Sequence, residues 1–414
     1  MTNSQDNVTV IGGGIVGLAS AWQLALDGAD VTVVDQGAPT NTTSFVNAGW
    51  ITPSHIIPLA APGMVKTGMA NLIGRTGAFA LSPSAGPSLA PWLAKFASKC
   101  TDEHVEHSAP ALKELVDLSI NIVEGLIAND GLLRTKDKLW MLFTSDKAEQ
   151  EAKHEVELME HFGVKAYEID PTSCSEQEPI LKNNIKSAVE FATDFGVDPR
   201  QFNELFKQKC VDAGVKFRNE TVVNLNATNS GVTIFTDQGS WSSDQIVLAA
   251  GVWSRELVKF VGGKLPMMAA KGQSVTLPNV ENMPTHPMML SDQRITLNPL
   301  SWGLRISTGY KLTSSKDFAI EKKAIDKLIA RTRTVVNLPE SLPVKNELMG
   351  MRPASPDGLP YIGALPNNPR VVVATGHNML GLMMAPGTGR FVADIVAGKP
   401  VSREIMKFSP ARPI

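Results

Sequence analysis

The chain has 414 residues, more than one hydrophobic core usually organises, so two domains are expected. Its charges balance, 39 basic against 41 acidic residues with no Lys/Arg block, which argues against nucleic acid as the main partner. Three widely spaced cysteines, Cys100, Cys174 and Cys210, form no CxxC; they argue against a disulfide framework or zinc site and point to a reducing compartment.

The N-terminus, MTNSQDN, is polar and does not read as a secretory signal. No run of about 18 apolar residues appears, so no membrane-spanning helix is expected. A cytoplasmic location follows, with peripheral docking at the inner membrane left open. Next comes VTVIGGGIVGLASAWQLALDGADVTVVDQ. Val8 to Ile11 is apolar, as a buried parallel strand should be. Gly12, Gly14 and Gly17 then form G-x-G-x-x-G and open a helix at Ile15 and Val16. Its apolar face is expected at Ile15, Ala19, Trp22 and Leu26, with Gly28 as the stop. A second strand, Val31 to Val34, ends at Asp35 and Gln36. In this arrangement Gly12 permits the turn, Gly14 lets a pyrophosphate approach the backbone, and Gly17 brings helix and sheet together. Free N–H groups at the helix start attract phosphates, and Asp35 is placed to accept from ribose hydroxyls. The unit predicts dinucleotide binding without deciding between FAD and NAD.

Helical spacing covers 111–128. Asp146 with Glu149 resembles a capping box opening a helix to about His161. Asp198-Pro199 reads as the start of a helix to Ala213. VKFRNETV reads as a strand, and DQIVLAAGVWS as a buried strand. A helix is expected over 321–335. The tail holds the strand RVVVAT, a Gly-His turn and a helix opened by Pro386. Nucleotide-type elements thus recur at the start, middle and end. The expected fold class is α/β, with a discontinuous Rossmann-like domain at 1–100, 186–265 and 345–414. An α+β substrate domain with a mixed or antiparallel sheet is expected at 101–185 and 266–344. No second Gly-rich loop marks a separate NAD(P)H site.

VIGGGIVGLASAWQL, SFVNAGWITPSHIIPLAAPG, AAKGQSVTLP, GMRPASPDGLPYIG and ATGHNMLGLMMAPGTGRFVADIVAG together resemble the D-amino-acid oxidase (DAO) superfamily of FAD-dependent oxidoreductases. Within it the chain is most like bacterial D-amino-acid dehydrogenases of the small-subunit type, and its tail also resembles bacterial glycine oxidases. The resemblance covers nearly the whole chain and implies non-covalent FAD. It implies that Ser44, Asn47, Ala48, Gly49 and Trp50 approach the flavin or pyrophosphate, and that Val222, Ala250 and Gly251 flank the nucleotide. Gly376, His377, Gly381 and Leu382 fall near the flavin pyrimidine edge.

The resemblance also implies that Arg352 binds a substrate carboxylate, for which a guanidinium fork is suited. The alternative is an ion pair with Asp357 on a surface turn. His55 and Tyr310 are further catalytic candidates, and Lys271 is a candidate for the pocket wall. His104 and His107 form H-x-x-H without a third ligand, so no metal is expected. The expected reaction is oxidation of a D-amino acid, or a related cyclic or secondary one, to an imine and then a 2-oxo acid. The electrons pass to a quinone, an electron-transfer protein or O2. A glycine- or sarcosine-type oxidase, and a non-catalytic FAD subunit of a larger complex, are the alternatives.

Overall fold

The computed structural model describes residues 6–37, 42–66, 68–69, 79–339 and 345–414; the first five residues of the polar N-terminus lie outside them. β1 (Asn7–Ile11) runs through the glycine turn into α1 (Ile15–Leu26), which returns to β2 (Asp30–Asp35). Gly12 stands at φ +114°, and an added Cβ would lie 2.5 Å from Ala249 O, while one on Gly17 would overlap the Gly12 carbonyl. Turn and helix contact therefore both need glycine. Next come α2 (Thr43–Val46), β3 (Trp50–Ile51), β4 (Phe79–Leu81), α3 (Leu89–Lys99) and α4 (Asp102–Asn129). β5 (Arg134–Phe143), α5 (Asp146–His161), β6 (Tyr167–Ile169), α6 (Pro171–Gln177), β7 (Ser187–Val197) and α7 (Pro199–Asp212) follow. Five shorter strands continue the chain: β8 (Lys216–Asn219), β9 (Val222–Ala227), β10 (Val232–Thr236), β11 (Ser240–Ser243) and β12 (Gln245–Leu248). Then come β13 (Met268–Leu277), β14 (Met288–Leu290), β15 (Ile295–Leu300), β16 (Gly303–Thr313) and α8 (Lys322–Thr332). The chain closes with β17 (Lys345–Ala354), β18 (Tyr361–Leu365), β19 (Asn368–Thr375) and α9 (Gly381–Val396).

The first sheet has the order β18-β19-β12-β1-β2-β8 and is parallel except for β18. Its central strands β1, β2, β12 and β19 are largely apolar because both faces are covered, while β8 at the edge is exposed. Val8, Val10, Val31, Val33 and Val247 pack against α1, α4 and α9. Ile246, Leu248, Val371 and Val373 face the three-stranded layer β11-β10-β9. The second sheet runs β17-β13-β16-β15-β14-β5-β7-β3, with β4 beside β16 and β6 beside β7. It is mixed: β14 with β5 and β16 with β4 are parallel, the other pairs antiparallel.

Several expectations shift. The domain boundaries at 101, 186 and 345 do not coincide with the sheets: α4 packs on α9, while β7 and β17 lie in the ten-stranded sheet. α4 begins at Asp102, not at residue 111, because Thr101 Oγ1 accepts from His104 N–H and Pro110 is carried inside the helix. α9 begins at Gly381, with Pro386 inside it; the Gly387 N–H beyond the proline donates to Ser119 Oγ of α4 at 2.9 Å. α1 buries Ile15 and Ala19 as expected, but Leu26 is exposed and Leu18 and Leu24 complete the buried face. VKFRNETV splits between β8 and β9, which belong to different sheets.

Candidate active site

A cavity of about 1900 Å³ runs from the start of α1 to the face of the ten-stranded sheet. That is about twice the upper range for a small-molecule site, roughly 1,000 Å³, and leaves room for a dinucleotide and a second molecule. Gly12, Gly14, Ile15, Val16, Asp35 and Gln36 line one end, with Val222, Ala250 and Gly251 nearby. The Asp35 carboxylate accepts from Gly13 N–H (2.7 Å) and Gly37 N–H (2.9 Å), one on each oxygen. Each oxygen keeps a second lone pair for a ligand hydroxyl. Ser44 Oγ accepts from Ile15 N–H at 3.0 Å. A Cβ on Gly14 would meet only that hydroxyl, at 3.4 Å, so the bare backbone faces open space. Neither the Gly14 cap of α1 nor the Leu380 cap of α9 makes a side-chain cap bond, and both helix starts border the cavity. Such amide ends suit anionic groups.

Asn47, Ala48, Trp50, His377, Gly381 and Leu382 also line the cavity. Gly17, Gly49 and Gly376 do not; they sit beneath the wall, where Gly17 meets the Gly12 carbonyl, Gly49 meets Val197 O, and a Cβ on Gly376 would lie 2.7 Å from the Tyr361 ring. Two residues that the sequence reading missed hold the 45–49 loop. Buried Arg305 donates through Nη1 to Phe45 O (3.1 Å) and Asn47 O (3.0 Å), and buried Asn298 donates to Ala48 O (2.8 Å). Their only sequence signal is an Arg or Asn between apolar neighbours within a strand, in GLRISTGY and ITLNPL.

Arg352 is on a strand, not in a turn: β17 pairs it with Ala270 of β13. Its guanidinium lies over Gly272, where any Cβ would collide with it, and Nη1 donates to Gly309 O at 2.7 Å. Burial pulls its pKa below the ordinary value, with Tyr310 opposing. It makes no ion pair among the described residues. Asp357 is held instead by Arg412, through Nε at 2.6 Å and Nη2 at 3.0 Å. Tyr310 donates to Asn378 Oδ1 at 3.1 Å, and Asn378 is oriented by its own bonds to Ser355 Oγ (2.9 Å) and Gly376 O (3.1 Å). Burial raises the Tyr310 phenol above its ordinary value, so it stays neutral, with oxygen lone pairs as its remaining capacity.

His55 lines the cavity, and behind it lies buried Asp194. The carboxylate accepts from Ser54 N–H (3.1 Å) and Ser54 Oγ (2.5 Å), and His55 Nδ1 lies 2.8 Å from the same hydroxyl oxygen. Because Ser54 gives its proton to Asp194, it accepts from Nδ1–H, which puts the lone pair of the neutral imidazole at Nε2. His377 Nε2 lies 3.0 Å from Thr388 Oγ1, and burial lowers this imidazole to about 3.

The remaining candidates are elsewhere. Lys271 is buried away from the cavity on Asp317 (2.7 Å), Glu321 and Ala319 O. His104 Nε2 bonds Asp357 O at 2.7 Å, and no group able to hold a metal occurs among the described residues. None of the three cysteines lines the cavity; burial pushes the Cys100 and Cys174 thiols up to about 11 and Cys210 to about 12. Among the described residues no helix is long and apolar enough to cross a membrane.

Comparison with known proteins adds three findings. The family described as FAD dependent oxidoreductase (DAO) matches residues 7–395. A D-amino acid dehydrogenase of Vibrio atlanticus (strain LGP32) is 31% identical over 402 residues, covering 94% of this chain and 96% of that protein. One from Rhizobium rhizogenes (strain K84) is 29% identical, covering 98% and 99%. In fold, glycine oxidase from Geobacillus kaustophilus gives a TM-score of 0.79 at 20% identity over 99% of this chain and 100% of that one. L-proline dehydrogenase from P. horikoshii gives 0.76 at 20% identity over 98% and 97%.

Proposed function

The chain belongs to the FAD dependent oxidoreductase (DAO) family, and from that premise we propose that it oxidises a D-amino acid, through an imine, to a 2-oxo acid. The family is FAD-dependent, and the residues present suit that group. Two helix starts whose own cap residues make no side-chain bond, the open space at Gly14 and the Asp35 carboxylate offer the donors and acceptors that a flavin dinucleotide requires.

The observation that carries the reading is Arg352. A guanidinium in a cavity wall without a protein carboxylate is costly unless an anion arrives with the ligand. The substrate carboxylate takes two parallel bonds from this fork, which fixes the direction of the Cα–H. The Ser54–Asp194 pair orients the His55 ring on the cavity wall, and the substrate reacts as its neutral amine. The Tyr310 oxygen accepts from the amine once the phenol proton is committed to Asn378. Bound FAD supplies the acceptor for the hydride that leaves Cα. Phe79, Leu81, Trp92 and Phe96 keep this end of the cavity apolar, which strengthens the carboxylate clamp. Water then adds to the iminium carbon and ammonia leaves; a cyclic amine keeps its imine.

The test is an anaerobic titration of the purified yellow protein with D-amino acids, their L-forms, glycine and sarcosine. Bleaching of the flavin by D-forms is the expected result. Bleaching by glycine or sarcosine alone moves the reading to that substrate class, and a flavin that no amino acid bleaches overturns it. Peroxide measured under air separates O2 from a quinone or protein acceptor.

A further inference from the structure

We propose a second anion subsite in the same cavity, built on Arg294, which makes the preferred substrate a D-amino acid whose side chain itself ends in a carboxylate; this rests on the amino-acid reading above. The turn that carries Arg294 into β15 is tied down on several sides. The Asp292 carboxylate accepts from the Thr144 N–H and hydroxyl, both at 2.6 Å, and from the Ser145 hydroxyl at 2.9 Å. Arg331 Nη2 donates to Gln293 O at 2.6 Å, and Thr308 Oγ1 to Arg294 O at 2.8 Å. Arg294 stands at φ +51°, a left-handed conformation that a long side chain adopts only where its surroundings hold it. From this fixed turn Arg294 lines the cavity, half-buried. Its guanidinium has no hydrogen-bond or ion-pair partner among the described residues.

Strand register brings it beside the first clamp. Ile295 pairs with Thr308 across β15 and β16, and Thr308 Oγ1 reaches back to Arg294 O, so Arg294 stands at the end of β15 beside the residue that precedes Gly309. Gly309 O is the carbonyl that receives Arg352 Nη1. Arg352 reaches across β13 to Gly309 O on β16, the strand next to β15, so the two arginines line the same wall of the cavity. Asp292, the carboxylate closest in sequence, is committed to Thr144 and Ser145, while Lys147 adds a further positive charge along the cavity. Neither guanidinium has a carboxylate partner among the described residues, and a ligand with an anion at each end supplies one to both. A single carboxylate satisfies only Arg352.

The experiment compares D-glutamate and D-aspartate with their isosteric amides, D-glutamine and D-asparagine, in anaerobic flavin reduction by the FAD-loaded protein and by Arg294→Gln and Arg294→Lys. The acid is expected to exceed its amide in rate constant over dissociation constant by roughly 10- to 100-fold, the worth of one charge-assisted contact. Arg294→Gln should bring the ratio close to one, and Arg294→Lys should keep part of it. Calorimetry gives a readout free of chemistry: glutarate should bind the wild-type protein more tightly than valerate, and Arg294→Gln should erase the difference. Amides that reduce the flavin as well as the acids do, or a ratio unchanged in Arg294→Gln, overturn the subsite and leave the amino-acid reading standing. Reduction by no amino acid sinks that reading and the subsite with it.

Discussion

Arg352 and His377 are buried ionisable groups with opposite answers to burial. Arg352 keeps its charge, and its one described hydrogen bond goes to a carbonyl. Replacing it with alanine should raise the apparent KM for the amino acid by about 100-fold or more, since two charge-assisted bonds are lost, while FAD stays bound. Arg352→Lys should recover little, because a point charge cannot make the fork. An unchanged KM would remove Arg352 from the substrate. His377 instead gives up its charge, lowered from 6.5 to about 3. Between those values the unfolded chain holds a proton that the folded chain does not, so stability falls as pH drops from about 6.5. His377→Gln should lose this share, shrinking the stability difference between pH 7 and pH 5 by about 2 kcal/mol in denaturant melts. Parallel curves for the two proteins would show that the imidazole is protonated in the fold.

At the scale of elements, the APGTG segment of the tail is a packing device. α9 crosses α1 and α4 so closely that a Cβ on Gly389 would overlap Ala19 O, and one on Gly387 would lie 2.7 Å from Leu115 O. Gly389→Ala must push α9 away from α1, which also moves the helix start that borders the cavity. We expect a loss of about 1–3 kcal/mol by melting, together with weaker retention of flavin on gel filtration. Full stability with full flavin content would show that the two helices have slack. The glycines and Pro386 were legible in the sequence as breakers and turn formers; their place inside a helix was not, because the Ser119 hydroxyl that satisfies the Gly387 N–H comes from residues far away in the chain.

On the scale of the whole molecule, the C-terminus closes the fold over the turn that follows β17. Arg412 forks onto Asp357, donates to Leu359 O and Pro360 O, and lies 4.1 Å over the Tyr361 ring. Asp357 O in turn receives His104 of α4, so three distant pieces of chain meet at one buried ion pair. Arg412→Ala leaves a carboxylate buried without its partner and should cost about 3–5 kcal/mol. Adding Asp357→Asn should return part of that loss; no recovery would mean that the ion pair matters less than the packing of the tail.

The sequence alone determined what depends on neighbours along the chain. The strand–glycine–helix–strand unit ending at Asp35, the capped start of α7, and the apolar runs of the central parallel strands are local patterns with local causes. Family resemblance pointed to Arg352 and His55, both of which line the cavity. Tertiary structure alone decided what depends on partners brought from elsewhere. It gave Asp357 to Arg412 and left Arg352 without a counter-charge among the described residues, set Asp194 behind His55, put Arg305 and Asn298 under the 45–49 loop, and set Arg294 against Thr308. Each of these depends on which groups from distant parts of the chain meet, and no spacing in a single sequence encodes such a meeting.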